Sequence, residues 1–260
     1  RAAGRELNDN EYAELYDLEQ LMLDRKVLMS GRTLWLGGTD VSKHREASQF
    51  NCSFTCVETV YDVVDVLWLL LQGCGVGFKP VVGTLNGFSK TIKNIKTVRS
   101  TRTEKGGRET NLETWDHETK TWTIQVGDSA EAWAKSIGKL LAGKYPADNL
   151  VLDFSQLRPA GERLKGYGWI SSGDEAISVA YNAIANILNG RADSLLTRMD
   201  ILDIVNWLGT ILSSRRSAEI ALFEYDQPEW EEFAVAKKDW WLHGNVQRQQ
   251  SNNSLVFRKK

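Results

Sequence analysis

Apolar positions along this chain follow two alternating rhythms. In "EYAELYDLEQLMLDRKVL" (11–28), Tyr12, Leu15, Leu18, Leu21, Leu23 and Val27 recur at helical spacing and predict a helix. In "TVYDVVDVLWLLLQ" (59–72), Val60, Val63, Val64, Leu67, Leu70 and Leu71 do the same on a much more apolar background, so that helix is predicted to be largely buried, with Gly73 ending it. "GDSAEAWAKSIGKLLAGK" opens a helix behind Asp128 or Ser129, with Glu131 placed to reach back. "SSGDEAISVAYNAIANILNG" has Ser172 and Glu175 at capping-box spacing and Gly190 just past its end. Ile201, Ile204, Val205, Leu208, Ile211 and Leu212 form a further helical stripe, and Asp226, Pro228 and Glu229 start a last helix.

Short apolar runs separate these helices. "FNCSFTCV" is apolar enough for a short buried strand. "GVGFKPVV", "NLVLDFSQLRP", "SAEIALF" and "SLVFRK" also read as strands. Glycine within "GVGFKPVV" marks close approach of a ligand or another backbone. "TWDHETKTWTIQV" sets Trp115 and Trp122 either side of a polar turn, a β-hairpin signal. The basic stretch "KNIKTVRSTRTEKGGRE" (93–109) reads as a solvated loop, with phosphate contact as the minority reading. Strands alternating with amphipathic helices argue an α/β domain with a parallel or barrel-like sheet, whose sites sit on the connecting loops.

Composition narrows the class. The chain has 260 residues, 42% hydrophobic and 25% charged, the balance of an ordinary globular protein. A net charge of -2 argues against a dedicated nucleic-acid binder. No apolar run reaches the roughly 18 residues of a membrane helix, and no secretory signal is visible. Three cysteines give no disulfide framework, which points to a reducing cytoplasm. The chain opens without Met and closes on a strand-like segment, so a fragment of a longer protein is expected, with trimming as the alternative.

The candidate chemistry is sparse on local grounds. Cys52, Cys56 and Cys74 lack a fourth ligand at zinc spacing, and His44, His117 and His243 are scattered, so no metal site is predicted. "GCGVGF" fails the dinucleotide pattern because its helix precedes the glycines. "SSRRSAE" places Arg215 and Arg216 in a short helix-to-strand loop. Such a pair either grips phosphate or bonds carboxylates such as Glu219, and both readings stay open. The polar run before "SLVF" caps a turn more often than it reads a base. No local Ser/His/Asp or Cys/His pattern is present.

In order, "SGRTLWLGGT", "NCSF", "GCGVGF", "GDSAEAWA", "LVLDFSQLRPAGERLKGYG", "SSG", "RRSAEIAL" and "SNNSLVF" carry a collective signal. From about residue 28 onward the series resembles the adenosylcobalamin-dependent (class II) ribonucleotide reductases, most closely the monomeric ribonucleoside-triphosphate type. The resemblance implies the first half of a ten-stranded α/β barrel. It divides the chain into an N-terminal helical segment (1–28), the start of the barrel (29–82), an insertion and effector region (83–149) that substitutes for a dimer partner, and the rest of the half-barrel (150–260).

The resemblance also implies roles for particular residues. Cys52 matches a cysteine that reduces the ribose 2' position and forms a disulfide with a partner outside this chain. Thr33, Asn51, Cys74, Gly75, Asn252 and Asn253 match positions around the substrate, the backbone at Cys74 and Gly75 approaching the ribose. Arg215, Arg216 and Ser217 match the loop that couples effector to substrate choice. Cys56 and Cys74 match no thiol role and read as small core residues.

The implied cofactor is adenosylcobalamin, held mostly outside this chain. The implied partners are a ribonucleotide substrate, a deoxynucleoside triphosphate effector, a thioredoxin-like reductant and the C-terminal half of the reductase. The family's thiyl-radical cysteine and glutamate, in an Asn-Pro-Cys-x-Glu type motif, are not in this sequence. A non-catalytic nucleotide-binding module and a class I large-subunit fragment are the competing readings.

Overall fold

The computed structural model describes residues 5–164, 170–212 and 218–258, in two compact units, Arg1–Asn51 and Cys52–Lys260. Arg215, Arg216 and Ser217 lie outside the described residues.

In the first unit, α1 (Asp9–Leu23) starts at a capping box. The Glu11 amide donates to the Asn8 side chain, and the Glu11 carboxylate accepts from the Asn8 amide. It stops short of the predicted Leu28, and Arg25 takes a left-handed φ of 59° just after its end. The apolar stripe gives a helix but not burial: none of its residues is buried, and Tyr12, Leu15 and Tyr16 are exposed. Two short helices follow, α2 (Gly31–Leu36) capped by Ser30 and α3 (Asp40–His44) capped by Thr39. Arg32 donates to the carbonyls of Ser48 at 3.0 Å and Phe50 at 2.7 Å, tying the end of the unit to α2.

The second unit holds two four-stranded sheets rather than one continuous sheet. The first joins β1 (Cys52–Val57), β2 (Gly75–Pro80), β7 (Glu219–Glu224) and β8 (Ser251–Val256), in that spatial order and all parallel. The second has the order β3 (Asn94–Val98), β6 (Asn149–Asp153), β5 (Thr121–Gln125), β4 (Leu112–Asp116). Here β4 and β5 form the predicted hairpin, with Trp115 paired to Trp122. The ring of Trp115 stacks on Tyr145 with centroids 5.1 Å apart.

Between the sheets lie α4 (Val60–Leu71) and α7 (Arg198–Gly209) against the first, and α5 (Ala130–Ala142) and α6 (Glu175–Gly190) against the second. One continuous apolar core runs through these layers, from Phe78 and Phe223 through Leu67, Leu140 and Ile184 to Trp122 and Leu152. Helix α5 reaches α4 closely because Gly138 has no side chain; a β-carbon there would meet Val64 Cγ2 at 2.8 Å. Inside the core, the Tyr181 hydroxyl bonds Ser136 Oγ at 2.7 Å, and burial pushes its ionisation well above the ordinary range. A buried ion pair, Arg158 to Asp128 at 2.9 Å, pins the segment after β6 to the start of α5.

Several expectations need correction. The basic stretch 93–109 is not all loop: its first part is β3, which pairs in parallel with β6. Ile95 and Thr97 alternate there with the exposed Asn94 and Lys96, a half-buried strand pattern inside a basic stretch. Helix α6 begins at Glu175 behind Asp174 and not at a Ser172 capping box, and the Asp174 side chain, taken by Arg99 and the Ser100 amide, does not cap it. Gly190 is its last residue, not the one past it. The last helix, α8 (Trp230–Ala234), is a single short piece. Strand β8 begins at Ser251, so the polar Asn pair is in the strand and not in a turn before it.

Candidate functional site

In a parallel sheet all strands start at one edge, and that edge gathers the residues singled out by sequence. Cys52 is the first residue of β1 and Gly75 the first of β2, and the two are partners in register. Cys74 immediately precedes Gly75. Asn252 and Asn253 are the second and third residues of β8. Loops at strand starts, rather than at strand ends, therefore frame this edge. Three strand spacings separate Cys52's strand from that of Asn252, about 14 Å of sheet width. Thr33 and Asn51 belong to the first unit. There the Thr33 amide donates to Ser30 Oγ at 3.1 Å, and the two hydroxyls lie 2.8 Å apart, so Thr33 closes the α2 cap.

The sheet's two faces differ sharply. Helices α4, α7 and α8 pack on the face formed by Val57, Val76, Phe78, Ala221 and Phe223, all buried. The opposite face is open. From β1 it presents Cys52, Phe54 and Cys56, all exposed, and from β2 the glycines Gly75 and Gly77 and then Lys79. From β7 it presents Ile220, Leu222 and Glu224, and from β8 Asn252, Ser254 and Val256. At the far end of the face, Glu224 accepts from Lys79 at 2.5 Å and from Arg258 at 2.6 Å. Those two cations, Lys79 foremost, hold its carboxyl below the usual range.

This geometry separates residues that sequence had grouped. Asn252 lies on the open face, whereas Asn253 turns to the helix-covered side and accepts from Ser251 Oγ at 2.8 Å. Cys74 is fully buried, in keeping with a core residue. Cys56 is exposed on the same face as Cys52, so its reading as a core residue is overturned. The strand "FNCSFTCV" is also not a buried one. It is the edge strand, and alternation sends Cys52, Phe54 and Cys56 to the uncovered side. Cys52 and Cys56 stand four residues apart along an extended strand, about 13 Å, too far to bridge to each other.

Phe54 escaped the sequence reading, and Glu219 entered it only as a carboxylate that Arg215 or Arg216 could bond. Phe54 stands between the two thiols on the open face. Glu219, the first residue of β7, is 2% exposed on the covered face, and neither carboxylate oxygen has a hydrogen-bond partner among the described residues. Burial drives its pKa well above the usual carboxylate range. The signal for Glu219 was available as a single acid inside the apolar run "SAEIALF". Among the described residues, no group of three His, Cys, Asp or Glu side chains is placed to hold a metal ion.

Comparison with known proteins follows the same outline. Residues 92–188 match the family described as "B12-dependent ribonucleotide reductase, insertion domain". The adenosylcobalamin-dependent ribonucleoside-triphosphate reductase of Lactobacillus gasseri is 29% identical over 285 residues, spanning 94% of this chain and 38% of that protein. The enzyme of the same name from Euglena gracilis is 27% identical over 225 residues, spanning 82% and 28%. A crystal structure of a B12-dependent (class II) ribonucleotide reductase shares the fold, with TM-score 0.72 and 22% identity over 92% of this chain and 37% of that one. This chain thus spans less than two fifths of the length of these relatives. Residues 92–188 are thus similar to the insertion domain of B12-dependent ribonucleotide reductases, and along most of its length the chain is similar to proteins named adenosylcobalamin-dependent ribonucleoside-triphosphate reductases.

Proposed function

We propose that this chain contributes the first half of a ten-stranded reductase barrel, in a protein that converts ribonucleotides, as triphosphates, to deoxyribonucleotides. The observation that carries the reading is Cys52 on the open face of an all-parallel sheet covered by helices on one side only. Parallel sheets are ordinarily covered on both faces. A second half-barrel closing over this face would enclose Cys52, Gly75 and Asn252 in one interior. In this reading the insertion region is 92–188, larger than the 83–149 expected from sequence on its C-terminal side.

Cys52 supplies half of a reducing pair. Two thiols become a disulfide, giving up two electrons and two protons; the ribose 2' carbon loses its hydroxyl as water and gains a hydrogen. The partner thiol belongs to the other half of the barrel, and a thioredoxin-like dithiol resets the disulfide. Gly75, side by side with Cys52, leaves backbone where a side chain would otherwise stand, so a sugar can approach the thiol.

Adenosylcobalamin, when bound, supplies the radical that starts the reaction. The cavity bordered by Glu232, Lys238, His243 and Arg248 encloses about 300 Å³. That is at the small end for a small-molecule site, and a corrinoid does not fit it. In this reading most of the cofactor's site lies outside residues 1–260. A deoxynucleoside triphosphate effector acts through 215–217 in the same reading.

The test uses the intact protein containing residues 1–260, supplied with adenosylcobalamin, a dithiol and each ribonucleoside triphosphate. Deoxynucleotide is expected from the wild type and none from Cys52→Ser, with nucleotide binding retained in both. Unaltered turnover in Cys52→Ser would favour a nucleotide-binding role for this region without thiol chemistry.

A further inference from the structure

Phe54 is 56% exposed, yet its ring is seated. Register sets it beside Gly77, and a β-carbon built on Gly77 would meet Phe54 Cδ2 at 2.8 Å and Cε2 at 3.7 Å. The ring thus lies across β2 in the space that a side chain at 77 would occupy. Gly77 is not among the glycines with positive φ, so its backbone does not demand glycine; the ring does. At the same level of the sheet, Gly77 pairs with Ile220 and Ile220 with Asn252. Ile220 is 45% exposed on the open face, and Asn252 is exposed beside it. The row reads aromatic ring, aliphatic side chain, amide. One row back, about 7 Å along β1, Cys52 stands beside Gly75.

We propose that Phe54, seated on Gly77, forms with Ile220 the floor on which the sugar and base of a nucleotide rest beside Cys52, the Asn252 amide marking its polar end. The row offers a flat apolar surface and no cation, so it suits the weakly polar face of a nucleoside and not its phosphates. Contact between an aromatic ring and a base tolerates every base, because each has a π face. Choice among bases is therefore left to other parts of the protein. This proposal rests on the reductase reading for the identity of its ligand, but it makes a binding claim of its own.

The test measures equilibrium binding of the four ribonucleoside triphosphates, and steady-state reduction, in the intact protein containing residues 1–260. Phe54→Ala is expected to weaken binding and raise KM roughly tenfold, with kcat changed far less, and Phe54→Leu to retain most of the affinity. Gly77→Ala, whose methyl pushes the ring aside, is expected to weaken binding in the same direction. The double variant should be no weaker than Phe54→Ala alone, since the methyl then displaces nothing. Unchanged binding in Phe54→Ala, or additive losses in the double variant, overturns the proposal; melting temperatures of all variants confirm that they fold. A wild type that binds ribonucleotides without reducing them overturns the reductase reading while the binding series still decides the floor. A wild type that binds none overturns both.

Discussion

The Glu219 carboxyl sits in a notch made by Gly209 of α7: a β-carbon at 209 would lie 2.5 Å from Glu219 Oε1. Burial opposes the charged form. An acid whose folded pKa is raised binds its proton more tightly folded than unfolded. Its effect is therefore neutral below the unfolded value, near 4.3, and becomes destabilising as pH rises from there toward the folded value, at about 1.4 kcal/mol per pH unit. Glu219→Gln removes that slope. The variant is expected to melt above the wild type at pH 7 and to lose the advantage as pH is lowered to about 4. Parallel melting curves from pH 4 to 8 would exclude a neutral Glu219.

The same notch makes a prediction about Gly209. Alanine within a helix is ordinarily favoured over glycine by about 1 kcal/mol. Here the methyl would collide with a buried carboxyl, and overpacking of this kind costs about 1–3 kcal/mol. Gly209→Ala is therefore expected to destabilise the wild type in urea denaturation. In a Glu219→Ala background the same change should become neutral or favourable. A change of sign between the two backgrounds is the expected result, since the sites touch and cannot be additive.

Much of this was legible beforehand, because helices with strong stripes and caps announce themselves. Val60–Leu71 and the hairpin pairing of Trp115 with Trp122 could be read off spacing alone. What spacing does not carry is which face of an element is covered. The stripe of α1 predicted a helix and leaves it exposed, and "FNCSFTCV" looked buried but forms the edge strand β1, with Cys52, Phe54 and Cys56 exposed. Both judgements need tertiary context, as does the fate of Asp174, taken by Arg99 instead of serving a cap. The edge that unites Cys52, Gly75 and Asn252 needed strand order as well, since β2 and β7 are neighbours although more than a hundred residues separate them.

Thiol exposure gives a direct test of the open face. Cys52 and Cys56 are exposed and Cys74 is fully buried. Brief treatment of residues 1–260 with iodoacetamide is expected to alkylate the first two and spare Cys74 until the chain is denatured, as read by peptide mass mapping. If a second half-barrel closes over this face, Cys52 and Cys56 should both become protected in the intact protein. Equal labelling of Cys52 and Cys56 in both forms would mean that nothing covers the sheet.

The Arg158–Asp128 pair should be the most costly single polar contact to break in the second unit. Arg158 Nε reaches both carboxylate oxygens, at 2.9 and 3.0 Å, and its Nη2 donates to the Asp128 carbonyl at 3.3 Å. Both side chains are at most a tenth exposed. Removing one partner strands a buried charge, and such losses run to about 3–5 kcal/mol, against about 1 kcal/mol or less for an exposed pair. Asp128→Ala is thus expected to lower stability by several kcal/mol in urea. Lys43→Ala, which breaks an exposed pair with Asp40, should cost next to nothing. Replacing both Asp128 and Arg158 with apolar residues of similar volume should restore much of the loss, because the penalty comes from the uncompensated charge and not from the missing attraction. If that double replacement is as unstable as Asp128→Ala, the link between the end of β6 and the start of α5 depends on the ion pair's geometry rather than on its charge balance.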